Sequence, residues 1–156
     1  MSDVTDSFLI RPADINDAAT IADFNCRLAE ETENKSLHAE TVEQGVRALL
    51  QVPSRGRYFV AEMGGQLVGQ LMHTFEWSDW RNGDIWWIQS VYVHSDFRRQ
   101  GVFRALSCHL EELAQDTPGV VGIRLYVERE NDRAQQTYSS LGFERPGYLV
   151  MERLFG

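Results

Sequence analysis

The chain has 156 residues, 43% hydrophobic and 24% charged, with a formal net charge of −8. That length suits one domain with a core of its own, and the acidic balance argues against general nucleic-acid binding while remaining compatible with a cationic partner. No apolar run approaches a membrane span and no leader-like pattern opens the chain, so a cytoplasmic setting with no membrane attachment is the expectation.

In chain order, residues 1–7 are polar and are expected to be a disordered N-terminus. Phe8 to Arg11 reads as a first strand, stopped by Pro12. Asp14 is placed to cap a helix whose inner face is Ala18, Ile21, Ala22, Asn25, Leu28 and Ala29. The helix ends in Glu30-Glu31-Thr32-Glu33-Asn34-Lys35. Negative charge there opposes the helix dipole, so Glu30 and Glu31 are candidates for recruiting a cationic substrate, against the plainer reading of a solvated helix end. A second helix runs from about Ala39 to Leu50, with Val42, Val46, Leu49 and Leu50 inward. Tyr58 to Met63 and Gln66 to Phe75 are strands joined by a Gly64-Gly65 turn. Gly69 inside the second of them suggests a bulge or a close backbone contact. Glu76 to Asp84 reads as a polar loop whose Trp77 and Trp80 either wall a substrate site or cover a hydrophobic edge.

Trp86 to Val93 is a strand rich in aromatic and β-branched residues, and it breaks at His94-Ser95-Asp96. Arg98-Arg99-Gln100-Gly101 leads into a helix with Val102, Leu106, His109, Leu110 and Leu113 at helical spacing. A basic loop with a glycine at a helix N-terminus is suited to a phosphate or pyrophosphate, because the first helical N–H groups lack internal partners and the dipole is positive there. Thr117-Pro118-Gly119 is a turn and Val120 to Val127 a strand. Asn131 caps a helix that runs to Leu141, with Gly142 as its stop. Phe143 to Phe155 supplies one or two closing strands around Pro146-Gly147. Cys26 and Cys108, both in predicted helices, read as buried free thiols. Neither has metal-ligand spacing, and adjacent Cys108 and His109 do not face a common point, so no metal is expected. The element order gives a single α/β domain, residues 1–156, with a mixed sheet.

Arg98-Arg99-Gln100-Gly101-Val102-Phe103 resembles the acyl-CoA loop of the GNAT N-acetyltransferase superfamily, Gln/Arg-x-x-Gly-x-Gly/Ala, with Phe103 where a small residue is usual. Asn131 to Phe143 resembles the family's Asn-x-x-Ala-x-x-x-Tyr-x-x-x-Gly-Phe segment position by position. The resemblance covers nearly the whole chain. It implies a mostly antiparallel central sheet of six to seven strands with about four helices, and acetyl-CoA (coenzyme A) as the cofactor. It implies that pantetheine lies along Val91, Tyr92 and Val93. The pyrophosphate then lies on the loop of Arg98, Arg99, Gln100, Gly101, Val102, Phe103 and Arg104. Tyr138 is implied as the acid that protonates the leaving thiolate, and Asn131 as a cofactor contact, although helix capping alone would explain Asn131.

The stretch from Glu76 to Val93 is similar to the spermidine/spermine branch of the family. That branch has a glutamate where this chain has Gln89, and glutamine accepts no proton at neutral pH. The base is then one of Glu30, Glu31, His73, Glu76 or Asp84, or a water chain, with Gln89 orienting water or amine. The leading expectation is acetyl transfer to a primary amine of a small molecule. Alternatives are transfer to a protein N-terminus or lysine, and a non-catalytic acyl-CoA-binding module. A homodimer is left open.

Overall fold

The structure is a computed structural model, and it describes residues 8–156; the expectation for residues 1–7 lies outside the described residues. Two compact units are distinguished, one reaching to Tyr126 and one formed by Val127–Gly156.

The first unit holds a five-stranded sheet in the order β1 (Leu9–Pro12), β2 (Arg57–Met63), β3 (Gln66–Ser78), β4 (Gly83–Val93), β5 (Val120–Leu125). All neighbours are antiparallel except β4 and β5, which run parallel through the connecting helix α3 (Val102–Asp116). The helices α1 (Ala18–Glu33) and α2 (Ala39–Gln51) link β1 to β2. A capping box at Asp14 starts the short 3-10 turn Ile15–Asp17 that leads into α1, and Asn34 ends α1 in the left-handed conformation at φ 54°.

The sheet has two differently packed faces, as period-two alternation requires. Ala18, Ile21 and Ala22 of α1 and Val46 of α2 pack against Tyr58 and Val60. On the other face lie Val102 and Leu106 of α3, both almost fully buried. Gly69 explains this second contact. A Cβ there would sit 2.7 Å from Val102 Cγ1, so the missing side chain lets the first turn of α3 settle onto β3.

The second unit contains α4 (Asp132–Ser140), capped by Asn131 and stopped at Gly142, φ 95°. Three expectations are corrected. The stretch 143–156 forms no strand, so the described sheet has five strands rather than six to seven. Its residues have strand-like composition, but a strand needs a hydrogen-bonded neighbour. The Glu76–Asp84 loop shrinks to a tight turn, because β3 continues to Ser78 and β4 starts at Gly83. Cys108 lies exposed on α3, since it alternates with the inward Leu106 and Leu110; Cys26 is half-buried.

Candidate active site

β5 pairs with β4 only from Asp84 to Ile88. Beyond that point β4 has β3 on one side and no described strand on the other. The segment Gln89 to Val93 therefore offers an open strand edge. Its end is shaped by a β-bulge opposite Gln70–Met72, where Ser90 has φ 51°. A left-handed serine inside a strand needs support from its surroundings.

A buried polar network supplies it. Gln70, fully buried, donates from Nε2 to the Ser90 carbonyl at 3.0 Å and to Asn25 Oδ1 at 2.7 Å. Asn25 Nδ2 in turn donates to the Tyr58 hydroxyl at 3.0 Å. This network was missed in the sequence. The available signal was a glutamine at an otherwise apolar inward position of β3, together with Asn25 on the inner face of α1.

The basic loop follows directly. After the 3-10 turn Ser95–Phe97, Arg99 has φ 65° and Gly101, the N-cap of α3, has φ 88°. Two left-handed residues so close together turn successive N–H groups into one concavity, which suits an anion. No side chain caps α3, and its first turn has no intrahelical acceptors for its amides. A Cβ at Gly101 would meet nothing within 4 Å, so the glycine is required by φ and not by space. Arg99, Gln100 and Arg104 are exposed, Val102 is buried under β3, and Phe103 is half-buried.

Arg98 is held differently. Its Nε donates to the Val93 carbonyl at 2.9 Å, its Nη2 to Glu31 Oε1 at 2.6 Å, and its guanidinium lies 5.3 Å from the Tyr92 ring centre. The Tyr92 hydroxyl donates to Glu31 Oε2 at 2.6 Å. Burial works to raise the Glu31 carboxyl, but the bonds from Tyr92 and Arg98 outweigh it and hold the group below its ordinary value. Glu31 is thus committed to the end of β4 and presents no spare carboxylate to a cationic substrate. Glu30 is exposed on the same helix end.

Gln89 lies on the face of the sheet that carries Gln70 and Thr74, and its Nε2 donates to Thr74 Oγ1 at 2.9 Å. Further along that face, Trp87 Nε1 donates to Glu76 Oε1 at 2.9 Å and Arg124 Nη1 to Glu76 Oε2 at 3.2 Å. The Tyr126 ring lies 4.5 Å from that of Trp87. Trp77 alternates with Glu76 and so points to the opposite face. The structure thereby separates Trp77 from Gln89, with which a shared substrate wall would have to be built. Trp80 sits on the β3–β4 turn, 84% exposed.

His73 is also on the far face. It is fully buried against Trp86, Phe59 and Phe75. Burial, helped by the Arg57 charge, lowers it to about 4, and it has no exposure through which to reach a substrate. Asp84 is at the start of β4, at the end of the sheet away from the loop. In the second unit, Asn131 Oδ1 accepts from Ala134 N at 3.1 Å, so its side-chain oxygen serves as the helix cap. Tyr138 packs its ring against Phe143 at 5.6 Å, and burial pushes its hydroxyl up to about 12. An open groove of about 520 Å³ lies beside the start of α1, but its charges are satisfied internally: Arg11 bonds Asp17 and Glu62, and Arg27 bonds Asp23.

Among the described residues no group of three His, Cys, Asp or Glu side chains is placed to hold a metal, and no helix is long and apolar enough to cross a membrane. The family model for the acetyltransferase (GNAT) family matches residues 21–143. A search of curated proteins found no match. Among solved structures, a Clostridium difficile 630 protein described as a possible acetyltransferase is 43% identical, over 95% of this chain and 97% of its own, with a TM-score of 0.90. A ribosomal-protein-alanine N-acetyltransferase from Brucella melitensis biovar Abortus 2308 shares the fold at 19% identity, over 96% of this chain and 100% of its own, with a TM-score of 0.77. So does a glucosamine-6-phosphate N-acetyltransferase from Arabidopsis thaliana, at 20% identity, over 96% and 99%, with a TM-score of 0.70.

Proposed function

The chain belongs to the GNAT acetyltransferase family, and on that premise we propose that it transfers an acetyl group from acetyl-CoA to the primary amine of a small molecule. The observation that carries this reading is the open edge of β4 from Gln89 to Val93, continued at once by the left-handed loop at the N-terminus of α3. An open edge takes an extended amide-bearing arm as an added strand, and the loop takes an anion. Those two features fit the two chemically distinct parts of coenzyme A.

Acetyl-CoA supplies an acetyl group activated as a thioester. In this reading the backbone of Val91, Tyr92 and Val93 binds the pantetheine amides. The amides of residues 99–104 bind the pyrophosphate, and exposed Arg99 and Arg104 add charge-assisted bonds. Arg98 is a positioning residue, tying the loop to Val93 and Glu31.

An alkyl amine has a pKa of about 10.4, so it reaches the site protonated and must lose a proton before it attacks. Gln89 orients the amine, and a water chain carries its proton to solvent, because Glu76, the carboxylate on this face, is already bonded by Trp87 and Arg124. Tyr138 retains its own proton because burial holds its hydroxyl at about 12. Its Oη is then the donor for the departing sulfur, a role carried over from the motif Asn131–Phe143. The acceptors named for the two fold-sharing enzymes differ, a protein alanine and a sugar amine, so fold alone does not select one.

The test is incubation with acetyl-CoA and separate panels of polyamines, amino acids, amino sugars and peptides, with the products identified by mass spectrometry. Acetylation of a small primary amine is expected. Turnover of peptides alone would replace this reading with protein acetylation. Binding of acetyl-CoA with no transfer to any panel would leave only a binding module.

A further inference from the structure

The face of the sheet that carries Gln89 is filled in one direction and accessible in the other. Toward Val93, Gln70 bonds both Asn25 and the Ser90 carbonyl, and Gln70 and Tyr92 are buried. In the opposite direction, Trp87 is the next residue on the face, ~7 Å along the strand. Trp87 is half-buried, and the Tyr126 ring, 57% exposed, lies 4.5 Å from it at an angle of 34°. An acceptor whose nitrogen is held at Gln89 therefore has its body over this aromatic pair.

The charges along this face are already paired. Trp87 Nε1 and Arg124 Nη1 bond the two oxygens of Glu76, at 2.9 and 3.2 Å. Glu76 and Arg124 thus form a pair without net charge, and the same carboxylate fixes the indole. At the other end of β4, Glu31 is bonded in the same manner by Tyr92 and Arg98. A polyamine gains little here, because each further ammonium leaving water needs a partner of its own. A flat apolar ring gains more, through burial against Trp87 and Tyr126 and through offset or edge-on ring contact.

Resting on the acetyl-transfer reading above, we propose that the acceptor is an arylalkyl amine, an aromatic ring joined to the primary amine by a short saturated linker, and that Trp87 and Tyr126 select it. Gln89 meets the nitrogen, and the ring lies along the wall made by Trp87 and Tyr126. Glu76 is a positioning residue that holds the Trp87 indole in place. Trp77 and Trp80 take no part, since they stand on the opposite face and on the β3–β4 turn.

The test compares initial rates with acetyl-CoA for phenethylamine, putrescine and glucosamine. Phenethylamine is expected to have the highest kcat/KM, by roughly tenfold or more. Trp87→Ala and, separately, Tyr126→Ala should each raise its KM roughly three- to tenfold, the scale of one lost ring contact. KM for acetyl-CoA and kcat should hardly move, and Trp87→Phe should restore the KM. Tyr126 is exposed just beyond the end of β5, so its variant serves even where Trp87→Ala does not fold. A diamine or amino sugar used more efficiently than phenethylamine would overturn the proposal, and so would an unmoved KM in Tyr126→Ala. Failure of every amine to be acetylated would instead strike the acetyl-transfer reading. Calorimetric titration of the CoA-saturated protein then decides the ring site. Tighter binding of phenethylamine than of putrescine upholds it, and an equal or reversed order overturns it.

Discussion

The Tyr92 hydroxyl meets Glu31 Oε2 at 2.6 Å, joining residues 61 positions apart. That contact, with Arg98 on the other carboxylate oxygen, fixes the end of β4 where the anion loop begins. Glu31→Gln should therefore act through the cofactor and not through the amine. We expect KM for acetyl-CoA to rise roughly three- to tenfold, a moderate effect because the pair is partly solvated. KM for the amine should hardly move. The opposite pattern would return Glu31 to substrate recruitment. As the Glu31 carboxyl is held below its ordinary value, the contact is intact above the usual carboxylate range and fails as pH falls through the lowered pKa.

Gly101→Val should weaken acetyl-CoA binding far more than it lowers Tm. The substitution meets open space but must adopt φ 88°, which a β-branched residue does not do, so the loop rather than the core rearranges. Calorimetric titration of the folded variant checks this. Unchanged affinity would remove the pyrophosphate from this loop.

Gln70→Leu leaves the Ser90 carbonyl and Asn25 without their shared partner. Destabilisation of about 1–3 kcal/mol is expected from the orphaned groups. Activity per folded molecule should fall as well, because the bulge that shapes the strand edge loses its support. Ser90→Gly, in contrast, relieves the left-handed strain and should keep or slightly raise Tm. Denaturant melts of both variants separate the two effects.

His73 gives a pH signature. It is uncharged and buried, at about 4 against an ordinary 6.5. Above pH 6.5 neither folded nor unfolded chains protonate it, so its contribution is constant. As pH falls from 6.5 toward 4 the unfolded state takes the proton first, and stability declines. The full loss is on the order of 3 kcal/mol. His73→Leu should flatten the stability profile in that window. An unchanged slope would place the titration elsewhere.

Much of this architecture was legible in the sequence because its signals are local. Asn131 and Gly142 act at the helix ends they were expected to mark, while Asp14 caps the 3-10 turn that precedes the first helix, whose own N-cap is Asp17. The turn at Gly64-Gly65 and the strand-loop-helix from Trp86 to Glu111 also stand. What could not be read depends on partners distant in sequence. Glu31 stood as a candidate for recruiting a cationic substrate until Arg98, 67 residues on, was found beside it. Gln70 drew no notice in the sequence, because its role depends on the Ser90 carbonyl 20 residues on. Trp77 and Trp87 differ by which face their strands present, and that depends on register. The closing strands were misjudged because composition reports a segment's suitability for a sheet but not whether a neighbouring edge is supplied.

Acetyl transfer in which Tyr138 delivers the proton is decided by the kcat of Tyr138→Phe with the identified amine. The phenylalanine keeps the ring packing against Phe143 and removes only the O–H. A loss of roughly 10²–10⁴-fold in kcat is expected, with acetyl-CoA affinity little changed. A variant that turns over at a near-normal rate would contradict it and leave Tyr138 as a packing residue.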